Sequence, residues 1–246
     1  MNIGRSLRLA LMSYRFLVAH FAAFVRLALP WSIASGVLVA IGEHASHISE
    51  WLLLPIARTC ICVAWCRTIL LDQPIGSAAV FSAREWRFFR VSVIPSAILF
   101  GLGAIIFGPA AMFENAYEPI DLYAVLATIE IGSFWILLMA PLLLARAAIA
   151  IDDPEFGICR SMRASGRIIL PIFLGAMAAY VPVFLMLIIP DGSRRSSDWI
   201  GIGTIFLEYC GYALLGLASD AVLIGFAAYL YRLIASNRRS RVADQF

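Results

Sequence analysis

Residues 57–74 read ARTCICVAWCRTILLDQP. An apolar run holds Arg58, Cys60, Cys62, Trp65, Cys66 and Arg67, then stops at Asp72-Gln73-Pro74. Two readings compete: a thiol metal or redox site, or the inward half of a buried membrane helix. At helical spacing Cys60 points roughly 160° away from Cys62. One helix cannot turn all three thiols to one metal, and soft-metal sites need converging ligands. Only Cys62 and Cys66 converge, on the face that also carries Arg58 and Trp65. A disulfide between residues four apart in a regular helix has the wrong geometry. The helix reading therefore governs, with the cysteines as small buried hydrophobes. Cys159 and Cys210 bring the total to five, an odd number that makes no secreted disulfide framework.

The rest of the chain has the same character. Of 246 residues, 62% are hydrophobic and 14% charged, against about 45–50% and 25% in soluble domains. Such a chain leaves too much apolar surface for a water-soluble globule, and runs of about 20 apolar residues mark membrane helices. Six spans are expected near 25–42, 51–71, 91–112, 122–145, 168–190 and 205–231. The arginines before the first run are followed by no cleavage-site pattern, so that span is expected to be retained.

The charges orient the spans. Every basic residue is arginine. Arg5, Arg8, Arg15 and Arg26 flank the first span; Arg67, Arg84, Arg87 and Arg90 fill the second connection. The fourth connection has Arg146, Arg160, Arg163 and Arg167, and the tail Arg232, Arg238, Arg239 and Arg241. The alternate connections carry only Arg194 and Arg195. The positive-inside rule places both termini in the cytoplasm of a bacterial inner-membrane protein.

A repeat runs through the connections. Asp72-Gln73-Pro74 and Asp152-Asp153-Pro154 lie 80 residues apart, each after a span ending in arginine. The fold class expected is all-α: one polytopic membrane helix bundle over 1–246, built from three related hairpins at about 1–71, 72–151 and 152–246. Asp153 before Pro154 reads as an N-cap with proline in the first turn. Arg160, Arg163 and Arg167 then share one helical face. With Arg84, Arg87 and Arg90 they are expected to contact anionic lipid headgroups or a partner. The ordinary alternative is a positive flank that only sets topology.

Trp65-Cys66-Arg67, a short apolar run and Asp72 resemble the end of the second span in uncharacterised six-span membrane proteins of alphaproteobacteria. Arg146 and Tyr229-Leu230-Tyr231-Arg232 fit the same pattern, and Cys66 departs from it where that family often has histidine. A more distant similarity is to the membrane domain of bacterial glycerophosphodiester phosphodiesterases, whose soluble hydrolase domain has no counterpart here. The resemblance implies a fold and a location, and no activity.

Arg58 asks most clearly for an explanation. A charge at mid-span costs about 2.5–3.5 kcal/mol on insertion scales, so it is expected to face the bundle and meet a carboxylate. Counting inward from Trp51, Leu122 and Trp199 puts Arg58, Glu130 and Glu208 at similar depths, an ion pair or triad serving either as structural glue or as a substrate or proton path. Asp220 sits deeper, about 120° round from Glu208, and is the second acid to consider. Glu43, His47 and Glu50 have helical spacing in an outer loop that also holds His44, yet histidines in a short polar loop are ordinarily solvated. Gly175 with Ala179, and Ala104 with Gly108, suit close helix packing. No catalytic, nucleotide-binding or metalloprotease motif is present. The expectation is a non-enzymatic protein without cofactor or metal, whose partners are membrane lipids and a further membrane protein or a second copy, and not nucleic acid. The alternative is a small transporter or lipid-handling protein using the intramembrane Arg/Glu site.

Overall fold

A computed structural model describes residues 2–42, 49–74, 81–95, 97–98, 140–154, 156–166, 168–188 and 199–243. All regular structure among them is helical. Helix α1 (Ile3–Ala19) leads through a break at His20 into α2 (Phe21–Ile41). A π-helical turn (Ser49–Leu53) opens α3 (Leu54–Leu71). Then come α4 (83–95), α5 (Ala140–Ala150), α6 (Ile158–Gly166), α7 (Ile169–Ile188) and the 45-residue α8 (Trp199–Ala243).

Among the described residues, three stretches are long and apolar enough to cross a membrane: Phe21–Ile41, Leu54–Leu71 and Gly203–Ser236. A fourth candidate is the pair Ile158–Gly166 and Ile169–Ala179, bent by 101°. Most of the expected spans at 91–112 and 122–145 lies outside the described residues. Arg5, Arg8 and Arg15 sit on a helix of their own, α1, rather than on a simple flank, whereas Arg26 lies within α2.

Helix α8 is the central post. It packs against α1, α2, α3 and α7. Residues 221–228 are all buried, more than two full turns, so this part is enclosed on every side. Close packing there rests on small residues. A Cβ at Gly175 would overlap the Phe226 ring and come within 2.7 Å of Ser6 Oγ. A Cβ at Gly225 would lie 3.3 Å from Ser13. Ala179, like Gly175, is buried, as the small-residue spacing implies.

Helix α1 turns Ser6, Leu9, Ala10, Ser13 and Leu17 to the bundle. Ser6 donates to the Pro171 carbonyl, and Tyr14 lies 2.9 Å from the Ala178 carbonyl. Burial pushes the Tyr14 hydroxyl above its ordinary range, which keeps it a neutral donor. Within the spans, Ser32 and Thr59 donate to the carbonyls four residues back, so hydroxyls in an apolar setting are satisfied locally.

Gly175→Ala is expected to lower stability by about 1–3 kcal/mol through overpacking against Phe226. Thermal unfolding in detergent measures it. At Gly211 nothing lies within 4 Å of an added Cβ, and Gly211→Ala is expected to stay within about 0.5 kcal/mol of the parent.

Candidate functional site

Two constellations of charge stand out, one inside the bundle and one at its arginine-bearing end. Inside, Arg58 Nε of α3 lies 3.0 Å from Asp220 Oδ2 of α8. The side chains are 52% and 15% exposed, so the arginine is the more accessible partner. Cys62, one turn on from Arg58, sits 3.9 Å from the Asp220 backbone carbonyl. Arg146 of α5 is only 8% exposed.

Register explains the pairing. Ser35 of α2 meets Ser49 at 2.5 Å, and the neighbouring Gly36 packs on Cys210 of α8. Ser49, Gly36 and Cys210 therefore share a level. Both α3 and α8 run away from it in the same sense. Arg58 is nine residues past Ser49, and Asp220 ten past Cys210. The acid that reaches Arg58 is thus Asp220. Glu208 sits twelve residues earlier on α8, about 18 Å along the axis, so the expected Arg58–Glu208 level is corrected. Glu130 lies outside the described residues.

The cysteines hold no metal geometry. Cys60, Cys62 and Cys66 are buried and unbridged, and no group of three metal-ligating side chains occurs among the described residues. Glu43, His44 and His47 lie outside them.

At the arginine-bearing end, the aspartates of the repeat stop helices rather than start them. Asp72 follows α3 and Asp152 follows α5, both in the left-handed region, with φ of 52° and 58°. Asp152 N donates to Ile149 O at 3.1 Å and Asp153 N to Ala148 O at 3.0 Å. This is the bond pair of a Schellman C-cap, with proline following because it cannot continue the helix. Asp153 is therefore not an N-cap; α6 begins only at Ile158. Its carboxylate instead accepts from the Tyr231 hydroxyl of α8.

Asp152 gathers three guanidinium groups. Arg84 Nε lies 2.5 Å from Oδ2, Arg87 2.6 Å from Oδ1, and Arg67 3.9 Å from Oδ2. Arg67 also donates to Gln73 at 2.8 Å. Helix α4 is fixed at its start by a capping box: the Ser82 backbone N–H donates to Glu85 Oε2 at 3.0 Å. Arg84 and Arg87 then reach Asp152 from α4, leaving an outward aromatic cluster. Trp86 stacks on Phe89 at 5.5 Å, Phe81 sits edge-on to both, and Arg90 lies 5.8 Å over Trp86. Phe81 and Trp86 are exposed.

On α6, Arg160 lies 5.7 Å over the Phe156 ring, and Arg163 is exposed. Arg167 lies outside the described residues. The sequence signal overlooked was Ser82-x-x-Glu85, a capping box by spacing; Arg146, expected in the fourth connection, lies instead within α5 and is buried. No known protein family, curated protein or solved structure matches the chain.

Arg58→Ala and Asp220→Ala are each expected to lower stability by about 1–3 kcal/mol. Breaking a fully buried pair costs about 3–5 kcal/mol, reduced here because Arg58 is half-exposed. The double variant should lose less than the sum of the two. Thermal unfolding of purified protein, with accumulation in the membrane alongside, measures both; strict additivity would show that the pair contributes nothing.

Proposed function

We propose that the chain is a non-enzymatic, six-span inner-membrane protein, termini cytoplasmic, whose arginine-bearing end holds anionic lipid headgroups. The carrying observation is the Phe81–Trp86–Phe89 cluster, exposed at Phe81 and Trp86, with Arg90 over it, on a helix anchored by Arg84 and Arg87. Aromatic rings favour the membrane–water interface because one part is apolar and another polar. An arginine beside them can lay its stem on the rings and offer its guanidinium to phosphate. Each basic residue near an anionic surface contributes about 1 kcal/mol. Arg90, Arg160 and Arg163 are the residues turned to this task, while Arg84 and Arg87 brace the helix that presents Arg90.

The test uses purified protein in nanodiscs of phosphatidylglycerol or phosphatidylcholine, with lipids brominated near the headgroup. Trp86 emission, taken as the difference between parent and Trp86→Phe, is expected to be quenched more strongly in phosphatidylglycerol. Arg90→Gln should reduce that preference by about fivefold, the equivalent of about 1 kcal/mol. Equal quenching in both lipids would sink the proposal. The topology has its own check: reporters fused at either terminus should be active only in the cytoplasm, and a periplasmic signal from either end overturns it.

One observation favours a second reading, a small transporter or lipid-handling protein. Arg58 is half-exposed at mid-helix although its partner Asp220 is nearly covered, so the pair is reachable from outside the bundle. Normal accumulation of Arg58→Ala with loss of its cellular phenotype would favour this reading over a structural one.

A further inference from the structure

The three ends that the repeat defines meet around one cleft. Leu71, Ile151 and Tyr231 stand 80 residues apart in sequence, yet all three line a single cavity of about 660 Å³ together with Leu70, Asp153 and Arg232. The first two units contribute the last turn of α3 and the residue just beyond α5, and the third a turn of α8, which runs on to Ala243. Where the first two units have Asp72 and Asp152 immediately after the span, the third has Arg232. The cleft thus combines an apolar wall from Leu70, Leu71 and Ile151 with a carboxylate at Asp153 and a guanidinium at Arg232.

The volume lies in the range of small-ligand sites, about 300–1,000 Å³. Its chemistry is narrower than its size. An anionic ligand would meet Asp153, and a simple cation would meet Arg232. A molecule bearing both charges satisfies both. The Tyr231 hydroxyl donates to Asp153, which holds the carboxylate in place; a carboxylate offers about four lone-pair sites to donors. A primary ammonium can donate into it, and a quaternary one cannot. Arg232 presents a fork suited to a phosphate diester. The apolar wall asks for an acyl chain beside that headgroup.

We propose that this cleft binds the headgroup of a phosphatidylethanolamine lipid, with the ammonium on Asp153 and the phosphate on Arg232. The site lies at the cytoplasmic end of the bundle, level with the inner-leaflet headgroups, and in that placement it rests on the topology proposed above. Its lipid class differs from the anionic lipid assigned to Arg90, so either assignment can fail alone.

Native mass spectrometry of protein released from nanodiscs of equal phosphatidylethanolamine, phosphatidylcholine and phosphatidylglycerol content tests it. The parent should retain one phosphatidylethanolamine per chain. Asp153→Asn, which keeps an acceptor for Tyr231, and Arg232→Gln should each cut that retention at least tenfold. Phosphatidylcholine should not replace it. Glycerophosphoethanolamine, the headgroup without chains, should not be retained at millimolar concentration. Equal retention of phosphatidylethanolamine and phosphatidylcholine by the parent overturns the proposal, as does undiminished retention in both variants. Retention of the chain-free headgroup would overturn the assignment to lipid. Because lipid selectivity is read on the parent protein, the test stands even if a variant fails to fold.

Discussion

A charge within an apolar bundle must find its opposite, and this requirement sets how α3 and α8 slide against each other. Arg58 meets Asp220 at 3.0 Å, and only one register of the two helices allows it. The same register brings Cys62 to the Asp220 carbonyl and Ile69 to Gly225. It also seats Trp65 between Phe16 and Phe24, edge to face with both. A slip of a single turn would move the carboxylate about 5 Å along the axis and leave two charges apart in a medium that solvates neither. The glycines and serines between α1, α7 and α8 then permit the close approach that the register demands.

The helices themselves were legible in the sequence. Long apolar runs separated by arginine-rich connections give α2, α3 and α8 almost directly, because hydrophobic length is a strong signal. The partner of Arg58 was less so. Counting depth from Trp51 and Trp199 assumes that α3 and α8 begin at one level. They do not: the turn at Ser49 folds back beside Ser35, well below the end of α2, while α8 starts farther out. An offset of this kind is created by the packing of a connection, and no periodicity within a single span records it.

The Asp-x-Pro repeat shows a different limit. An aspartate ahead of a proline suits the first turn of a helix, and equally a left-handed stop after which proline blocks continuation. Composition does not distinguish them. The backbone does, through positive φ at Asp72 and Asp152. Their recurrence was visible; that they end helices, and that Asp152 then collects Arg67, Arg84 and Arg87, follows from how the chain turns back. The charged segments are thus more than topological markers, since one carboxylate draws the residues after α3 and those after α5 into a single corner.

Helix α8 has a mechanical property that its packing implies. It is continuous over 45 residues, a rod roughly 67 Å long, more than twice the hydrocarbon thickness of about 30 Å. It is gripped on every side only along 221–228, and much of 203–212 faces outward. A rod clasped at and just past its midpoint is a lever. A small sideways push on its N-terminal arm, held on the α2 side at Gly36, is returned as a tilt of the shorter arm beyond the clasp, where Tyr231 and Arg232 stand.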